Sequence, residues 1–324
     1  MATLSRPLSL DYTPQNRAFI SIGVALVTLT FAAILIRLAL DAGMTPAAVA
    51  ALRLTLASAI LTPIVIRRYR GQLMALKRRD YLISLFAGVW MGVHFIMMAT
   101  AFDLTSILVG QVIVNSGPLW VALMEMTFLK ARLSRTVWLG LLVAIVGGLI
   151  IGLGGFLTTP PSVQTAMVES LPLHEISGAP RSSSVGSLFA LIGAIAGSIY
   201  MTAGRKARAK ISLIPYIWLI YTFGALTALL LALASGTSMF GYPLLSYFWV
   251  IVLALIPQLI GHSSLNYALG FFPATVVSIA TQAITVTSAI IAFFLFAEVP
   301  TALDLFGSAI IISGVSLVIL GQRR

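Results

Sequence analysis

The stretch AFISIGVALVTLTFAAILIRLAL, residues 18–40, decides the class of this fold. It contains one charged residue in 23, and a hydrocarbon core about 30 Å thick needs roughly 20 apolar residues per helix. The stretch follows a polar segment and has no small-residue cleavage site behind it, so we expect a retained span and not a signal peptide. The chain is therefore expected to be embedded in a membrane.

The composition of the whole chain supports this expectation. Charged residues make up 9% of the 324 positions and apolar residues 59%, whereas soluble proteins carry about 25% charged residues. A soluble protein of this size could not cover its surface with so few charges. The chain has no cysteine, which excludes disulfides, thiolate metal sites and cysteine nucleophiles.

Ten stretches have the length and apolar character of a span. They predict an all-α polytopic membrane protein with ten transmembrane helices. The predicted spans are 18–40, 46–66, 81–102, 105–129, 136–153, 185–203, 213–234, 244–269, 275–297 and 303–320.

The basic residues predict the orientation of these spans. Seventeen of the 20 Lys and Arg residues fall in the two terminal segments and in every second connection, whereas the alternate connections contain only Arg181. Loops on the cytoplasmic side carry the Lys/Arg excess, so we expect both termini to be cytoplasmic. The excess of Lys and Arg over Asp and Glu therefore indicates the orientation of the spans in the membrane. No nucleic-acid partner is expected.

The two halves of the chain resemble each other at a nearly constant spacing, which predicts an internal repeat. Five spans per half is an odd number, so the halves are expected to be inverted, as in many secondary transporters. The expected division is 1–153 for the first five-helix repeat, 154–184 for an extracytoplasmic Pro/Ser-rich linker and 185–324 for the second repeat. The matching pairs are Pro46 and Pro215, His94 and His262, Gly140 and Gly307, and Gly147 and Gly314.

Polar side chains inside the spans predict a cavity near the middle of the membrane, because a polar group in hydrocarbon tends to face a neighbouring helix or a wet cavity. They recur at helical spacing in the third, fourth, eighth and ninth spans. Two uses remain open, a substrate cavity or hydrogen bonds that tie helices together. The candidate cavity residues are Trp90, His94, Gln111, Asn115, Gln258, His262, Asn266 and Gln282.

Three charged residues are candidates for a coupling or charge role. Glu125 shares the face of Gln111 and Asn115, and like the histidines it is a candidate for proton coupling or for a purely structural role. Arg37 and Arg53 lie inside the first two spans, where each can snorkel to the outer interface. The sharper hypothesis for these arginines is a clamp on a substrate carboxylate.

Signatures of catalysis are absent from the sequence. It has no HExxH motif, no phosphate-binding GxxxxGK[ST] loop and no metal cluster, and the stretch 261–265 lacks the second glycine of a nucleophile elbow. We therefore expect no enzyme, no cofactor and no metal, and an energy source that is a gradient.

Three stretches carry motifs, namely ALRLTLASAIL at 51–61, QLIGHSSLN at 258–266 and LFAEVPT at 295–301. The first resembles the second-helix motif of the drug/metabolite transporter superfamily, in its EamA-type branch, and the other two are similar to later motifs of that family. Further similar positions are Thr105-Ser106, Pro118-Leu119, Gly307 and Gly314. The resemblance covers nearly the whole chain apart from 1–17 and 154–184, and it implies a ten-helix carrier with a central cavity.

The chain also departs from the family pattern. The family's glutamate at the end of the fourth helix of each unit is present in the second unit as Glu298, but Lys130-Ala131 occupies the comparable place in the first. Pro118 has no proline counterpart in the second unit, where Val286 stands. These differences suggest that the two halves line the cavity unequally.

The sequence therefore predicts a secondary active transporter in the cytoplasmic (inner) membrane. It would move a small polar or amphipathic metabolite, an amino acid or a related compound, by alternating access, with export as the expected direction. A lipid or lipid-precursor flippase and a channel are the alternatives. The expected partners are the substrate and membrane lipids, and the small-residue patches leave a homodimer open.

Overall fold

The computed structural model describes residues 14–129, 134–158, 183–298 and 300–322. Within these ranges the chain is helical and contains no strand. The helices are α1 Pro14–Asp41, α2 Pro46–Arg68, α3 Arg70–Met74, α4 Arg78–Leu104, α5 Ile107–Val114, α6 Gly117–Leu129, α7 Arg135–Thr158, α8 Ser183–Arg208, α9 Leu213–Ala234, α10 Leu244–Leu253, α11 Ser263–Ala268, α12 Ala274–Ala280, α13 Gln282–Phe296 and α14 Ala302–Gln322, with a π-helical segment, Ala254–His262, between α10 and α11.

Eight helical stretches in the described part of the chain are long and apolar enough to cross a membrane, and the protein is a multi-pass membrane protein. The other two predicted spans correspond to α7 and α14, whose apolar parts, 135–150 and 302–317, are shorter. The count of ten crossings and the orientation of the termini stay predictions. The eight stretches are Asn16–Asp41, Pro46–Arg68, Arg78–Leu104, Ile107–Met124, Ser184–Arg208, Leu213–Ala234, Leu244–Ala268 and Val276–Phe296.

Large apolar side chains on the outer surface of the bundle agree with a lipid environment. Phe294 is 79% exposed and Leu244 is 87% exposed, and many leucines and isoleucines on other helices are also exposed. An apolar surface of this extent is found where a protein meets lipid or a partner.

Three predicted spans are not uniform α-helices. The fourth is interrupted at Asn115 and Ser116, which separate α5 from α6, and the ninth is interrupted at Thr281, which separates α12 from α13. The eighth is continuous, but its middle is the π-helical segment. Pro118 accounts for part of the first break, because it has no amide hydrogen to give to the carbonyl one turn earlier.

Helices from the two halves of the chain pack against each other along most of the bundle. α4 packs along α8, α2 along α9, α7 along α14, and α1 along the continuous helix 244–268. At the crossing of α7 and α14, a Cβ on Gly147 would lie 2.8 Å from the carbonyl oxygen of Gly307, and one on Gly314 would lie 2.6 Å from that of Gly140. The glycines that match in the two halves therefore make reciprocal backbone contacts.

Candidate functional site

A cavity of about 80 Å³ lies where α1, α4, α5 and α8 meet the π-helical segment and α12–α13. This volume has room for several water molecules. Its wall is mostly apolar, with a few polar groups that come from both halves of the chain. It is lined by Leu29, Ala32, His94, Met98, Gln111, Val114, Asn115, Gly117, Ala194, Gly197, Ser198, Tyr200, Met201, His262, Leu265, Ser278, Thr281 and Ile284.

Four of the eight candidate cavity residues line this wall, namely His94, Gln111, Asn115 and His262. The spacing in the sequence placed two histidines of different halves at equivalent positions, and the structure brings both to the same cavity. The remaining four candidates, Trp90, Gln258, Asn266 and Gln282, are not part of the wall, and their positions differ.

Asn115 joins the interrupted fourth span to the interrupted ninth span. Its Nδ2 donates to Gln111 Oε1 at 3.0 Å and to Thr285 Oγ1 on α13 at 3.1 Å. Gln282 Nε2, at the start of α13, donates to the backbone carbonyl of Asn115. Each helix break is thus adjacent to the other, and side chains of one half satisfy groups in or beside the break of the other half.

His94 rests on the backbone of α8. Its Nδ1 lies 2.8 Å from the carbonyl oxygen of Gly193, and because a carbonyl only accepts, Nδ1 carries the proton in this bond. In the neutral imidazole Nε2 is then an acceptor, and it has no hydrogen-bond partner among the described residues. A Cβ on Gly197 would lie 2.8 Å from Nδ1, so α8 approaches the ring this closely because residue 197 has no side chain.

We expect Gly197→Ala to lower transport activity several-fold, because the new methyl group displaces the imidazole and lengthens its bond to Gly193 (overpacking costs roughly 1–3 kcal/mol). Initial rates in proteoliposomes measure this effect. Gly23→Ala is the matched control, since a Cβ there would have no neighbour within 4 Å. Equal loss of activity in both variants would contradict the role given to the His94 contact.

Asn266 and Tyr200 form a second polar contact beside the wall. Asn266 is fully buried, and its Nδ2 donates to the hydroxyl of Tyr200 at 3.2 Å and to the carbonyl of His262 at 2.7 Å. Asn266 therefore supports Tyr200, which faces the cavity. Trp90 is placed differently: it is partly buried and makes an edge-on contact with Phe86, at 6.2 Å between ring centroids.

Arg53 is 1% exposed, so the protein encloses its side chain. Its guanidinium carbon lies 4.0 Å from the centroid of the Phe95 ring, and none of its three nitrogens has a hydrogen-bond partner among the described residues. Phe95 in turn makes a perpendicular contact with His262, at 5.0 Å between centroids. Gln258, one turn before His262, is fully buried and both atoms of its amide are also without a partner in the described part of the chain.

Arg37 is equally buried but is paired. Its Nη1 lies 3.3 Å from Glu298 Oε1, and its Nη2 donates to the carbonyl of Thr105 at 2.7 Å. Glu298 Oε2 accepts from the amide of Ile107 at 2.8 Å, so this carboxylate also caps the N-terminus of α5. The turn that presents Glu298 includes Ala297, which has a left-handed backbone with φ 51°. This cluster links the two halves at one end of the bundle.

Two sequence predictions fall on parts of the chain that are not described. Glu125 lies in α6, but its side chain is outside the described residues, so its charge role stays a prediction. The same holds for the expected linker 154–184, of which 159–182 is outside them. Among the described residues, no group of three His, Asp or Glu side chains could hold a metal ion.

Sequence reasoning missed several residues of this site. Ser198 and Tyr200 of α8 line the cavity, although no polar face of the sixth predicted span was singled out. Ser198 lies one turn after Ala194 and next to Gly197, and this small and polar stripe was the available signal for Ser198. Phe95 and Tyr221 had no signal, because an aromatic residue in an apolar helix is usually part of the packing.

A second cavity, of about 330 Å³, lies between α5–α6, α7, α8 and α14. Its wall is almost wholly apolar, and Ile145, Leu149 and Leu188 on its rim are more than half exposed on the outer surface. Ser116 and Ile113 contribute to it beside the break between α5 and α6. The cavity is therefore a lateral groove next to the first helix break.

Comparison with known proteins places this architecture in a family. The profile of the EamA-like transporter family matches residues 16–153 and 184–320. A Bacillus subtilis (strain 168) protein described as uncharacterized transporter YdfC is 25% identical over 216 residues, which are 67% of this chain and 63% of that protein. One crystal structure has the same fold, with a TM-score of 0.59 and 16% identity over 95% of this chain and 99% of its own.

Proposed function

This chain belongs to the EamA-like transporter family, and from this membership we propose that it is a secondary active transporter. Its substrate is a small polar or amphipathic metabolite, an amino acid or a related compound. Binding takes place in the cavity between the two halves, and the protein has a transport role in place of a catalytic one. We place it in the cytoplasmic (inner) membrane with both termini in the cytoplasm, and with export as its direction.

The observation that carries this proposal is the pair of helix breaks that meet at the wall of the cavity. Discontinuous helices at the middle of the membrane supply free backbone groups to a substrate, and they are common at transporter binding sites. Here the breaks at Asn115–Ser116 and at Thr281 are joined through Asn115 and Gln282. A helix bundle with a purely structural role has no need of two such interruptions at one polar cavity.

The two halves are proposed to be inverted repeats. The break at Thr281 lies 166 residues after Asn115, and Gly307 lies 167 residues after Gly140, so the breaks and the glycine crossing follow nearly the same offset. The reciprocal contacts of Gly147 with Gly307 and of Gly314 with Gly140 are what a two-fold relation between the halves would produce. Both observations support a rocking movement of one half against the other.

Arg37 and Glu298, which belong to different halves, form a buried ion pair at one end of the bundle, and we propose that this pair closes that end. We propose that this end is extracytoplasmic, because the predicted orientation puts Glu298 and Thr105 outside. Alternating access then requires this pair to separate when the cavity opens to the outside. A buried ion pair is suited to such a gate, since it is strong when closed and its partners are readily hydrated when open.

Reconstitution in proteoliposomes tests the proposal. We expect labelled small amino acids or organic acids to enter with saturable kinetics, and unlabelled substrate on the far side to accelerate that uptake, because a carrier alternates between two states. Liposomes without protein are the control. Unsaturable flux or single-channel currents would instead identify a channel.

A lipid-precursor flippase is the second candidate, and the lateral groove favours it. An acyl chain would fit this apolar groove, while its polar head would lie near the break at Ser116. A fluorescent lipid scrambling or flipping assay in the same proteoliposomes separates the two functions. Flipping without soluble-substrate exchange would support the flippase and overturn the carrier.

A further inference from the structure

Two arginines inside the bundle are equally buried, but only one of them has a counterion in the described part of the chain. Arg37 and Arg53 are each 1% exposed. Arg37 is paired with Glu298, whereas no nitrogen of Arg53 has a hydrogen-bond partner among the described residues. A buried charge costs a large free energy unless it is paired, and the face of Phe95 returns only part of it.

The polar atoms around Arg53 are unpaired as well. Arg53 is close enough to Tyr221, His94 and His262 to interact with them electrostatically, and α2 packs against the π-helical segment that contains Gln258. Both amide atoms of Gln258 and Nδ1 of His262 have no partner among the described residues. Tyr221 is different, since its hydroxyl contacts the carbonyl of Gln258 at 3.1 Å and the hydroxyl of Ser263 at 3.0 Å.

We propose that Arg53, Gln258 and His262 form a subsite that binds the carboxylate of the transported substrate. The proposal rests on the proposed function and names its substrate class, which is small carboxylates, including amino acids. It requires a movement of Phe95, because this ring lies between the guanidinium and His262, and His262 lines the cavity.

The chemistry of the side chains in this subsite favours a carboxylate over other anions. A guanidinium offers parallel N–H donors that match the two oxygens of a carboxylate, and Gln258 Nε2 adds a further donor. A spherical anion meets this fork with one atom and cannot form two parallel hydrogen bonds. His94 also lines the cavity, and Nε2 of its neutral ring is an acceptor, so the amino group of an amino acid would also find a partner.

Thermal unfolding of the purified full-length protein tests the subsite, with acetate as the probe and acetamide as the matched uncharged control, at constant chloride. We expect acetate to raise the Tm of the parental chain and acetamide to leave it unchanged, because a ligand that binds the folded state stabilises it. The Arg53→Met variant is expected to lose the acetate shift. Without acetate it should unfold at the same temperature as the parental chain or higher, because an unpaired buried charge has been removed.

Arg37→Met is the matched control, since it removes an equally buried arginine that has a counterion. It is expected to lower the Tm and to keep the acetate shift. If Arg53→Met does not fold, Gln258→Leu is the second test variant. The acetate concentration that gives half of the Tm shift should be roughly tenfold or more higher in Gln258→Leu than in the parental chain. An acetate shift that survives in these subsite variants, no shift in the parental chain, or an equal shift with added chloride would overturn the proposal.

The two proposals fail in different ways. If an uncharged compound is transported with saturable kinetics and this transport depends on Asn115, the result would support the carrier function and contradict the carboxylate subsite. If acetate raises the Tm in a way that depends on Arg53 but the protein catalyses no exchange, the result would support the carboxylate subsite and contradict the carrier function.

Discussion

Asn115→Ala is expected to lower the initial rate of substrate exchange in proteoliposomes roughly 10- to 100-fold, so that little or no exchange is measurable. The side chain makes two hydrogen bonds inside the site, to Gln111 Oε1 and to Thr285 Oγ1 on the opposite half. Alanine leaves both partners unsatisfied and loosens the contact between the two helix breaks. His94→Ala is expected to act in the same direction, because it removes a second polar group from the wall.

Stability separates this effect from a failure to fold. The Asn115→Ala chain should insert into the membrane and retain a cooperative thermal transition, since the apolar packing of the bundle is unchanged. Ser313→Ala is the control, because it removes an exposed hydroxyl of α14 that bonds only to the carbonyl of Ala309. If Asn115→Ala and His94→Ala exchange substrate at the parental rate, the cavity is not the transport site.

Glu298→Gln is expected to cost roughly 3–5 kcal/mol of stability in the closed conformation, because it removes the carboxylate charge from a buried ion pair. Glutamine keeps the shape of the side chain and an oxygen for the amide of Ile107, so the change isolates the ion pair. The equilibrium should shift toward the state that is open at the Glu298 end. A lower Tm and a higher rate of labelling inside the cavity measure the two consequences.

The absence of cysteine makes the labelling experiment direct. Met98→Cys places a single thiol on the cavity wall, and a hydrophilic maleimide should modify it several-fold faster when Glu298→Gln is also present. Asp304→Asn is the control, since this carboxylate lies near the same end but, among the described residues, accepts only from Thr301 within its own turn. Arg37→Met added to Glu298→Gln should restore most of the Tm, and unchanged labelling in Glu298→Gln would refute the gate.

The spans could be predicted because their signal is local. A run such as 18–40 is apolar along its whole length, and eight of the predicted spans contain helices that are long and apolar enough to cross. His94 and His262 could be matched because their spacing repeats that of other pairs in the two halves. Spacing also placed Gln111 and Asn115 on one face, and both line the cavity.

The contacts between halves could not be predicted, because they join residues far apart in the chain. Gln282 reaches the carbonyl of Asn115 across 167 positions, and Glu298 reaches Ile107 across 191. Snorkelling was open for Arg37 and Arg53 because both lie near span ends, and only the packing shows that both are enclosed. Trp90 shares a helix turn with His94, yet its ring is directed at Phe86, which periodicity alone does not determine.

The nine-residue π-helical segment makes the side chains beyond it sensitive to the exact length of the chain. Its hydrogen bonds enclose one residue more than those of an α-helix. Loss of one residue, such as the exposed Leu255, would allow an ordinary α-helical ladder in place of the wider turns. Gln258 and His262 lie inside this segment, so the tighter turns would change their orientation relative to Arg53. Homologues with a one-residue gap here would therefore present a different surface to their cargo, even where every polar residue is retained.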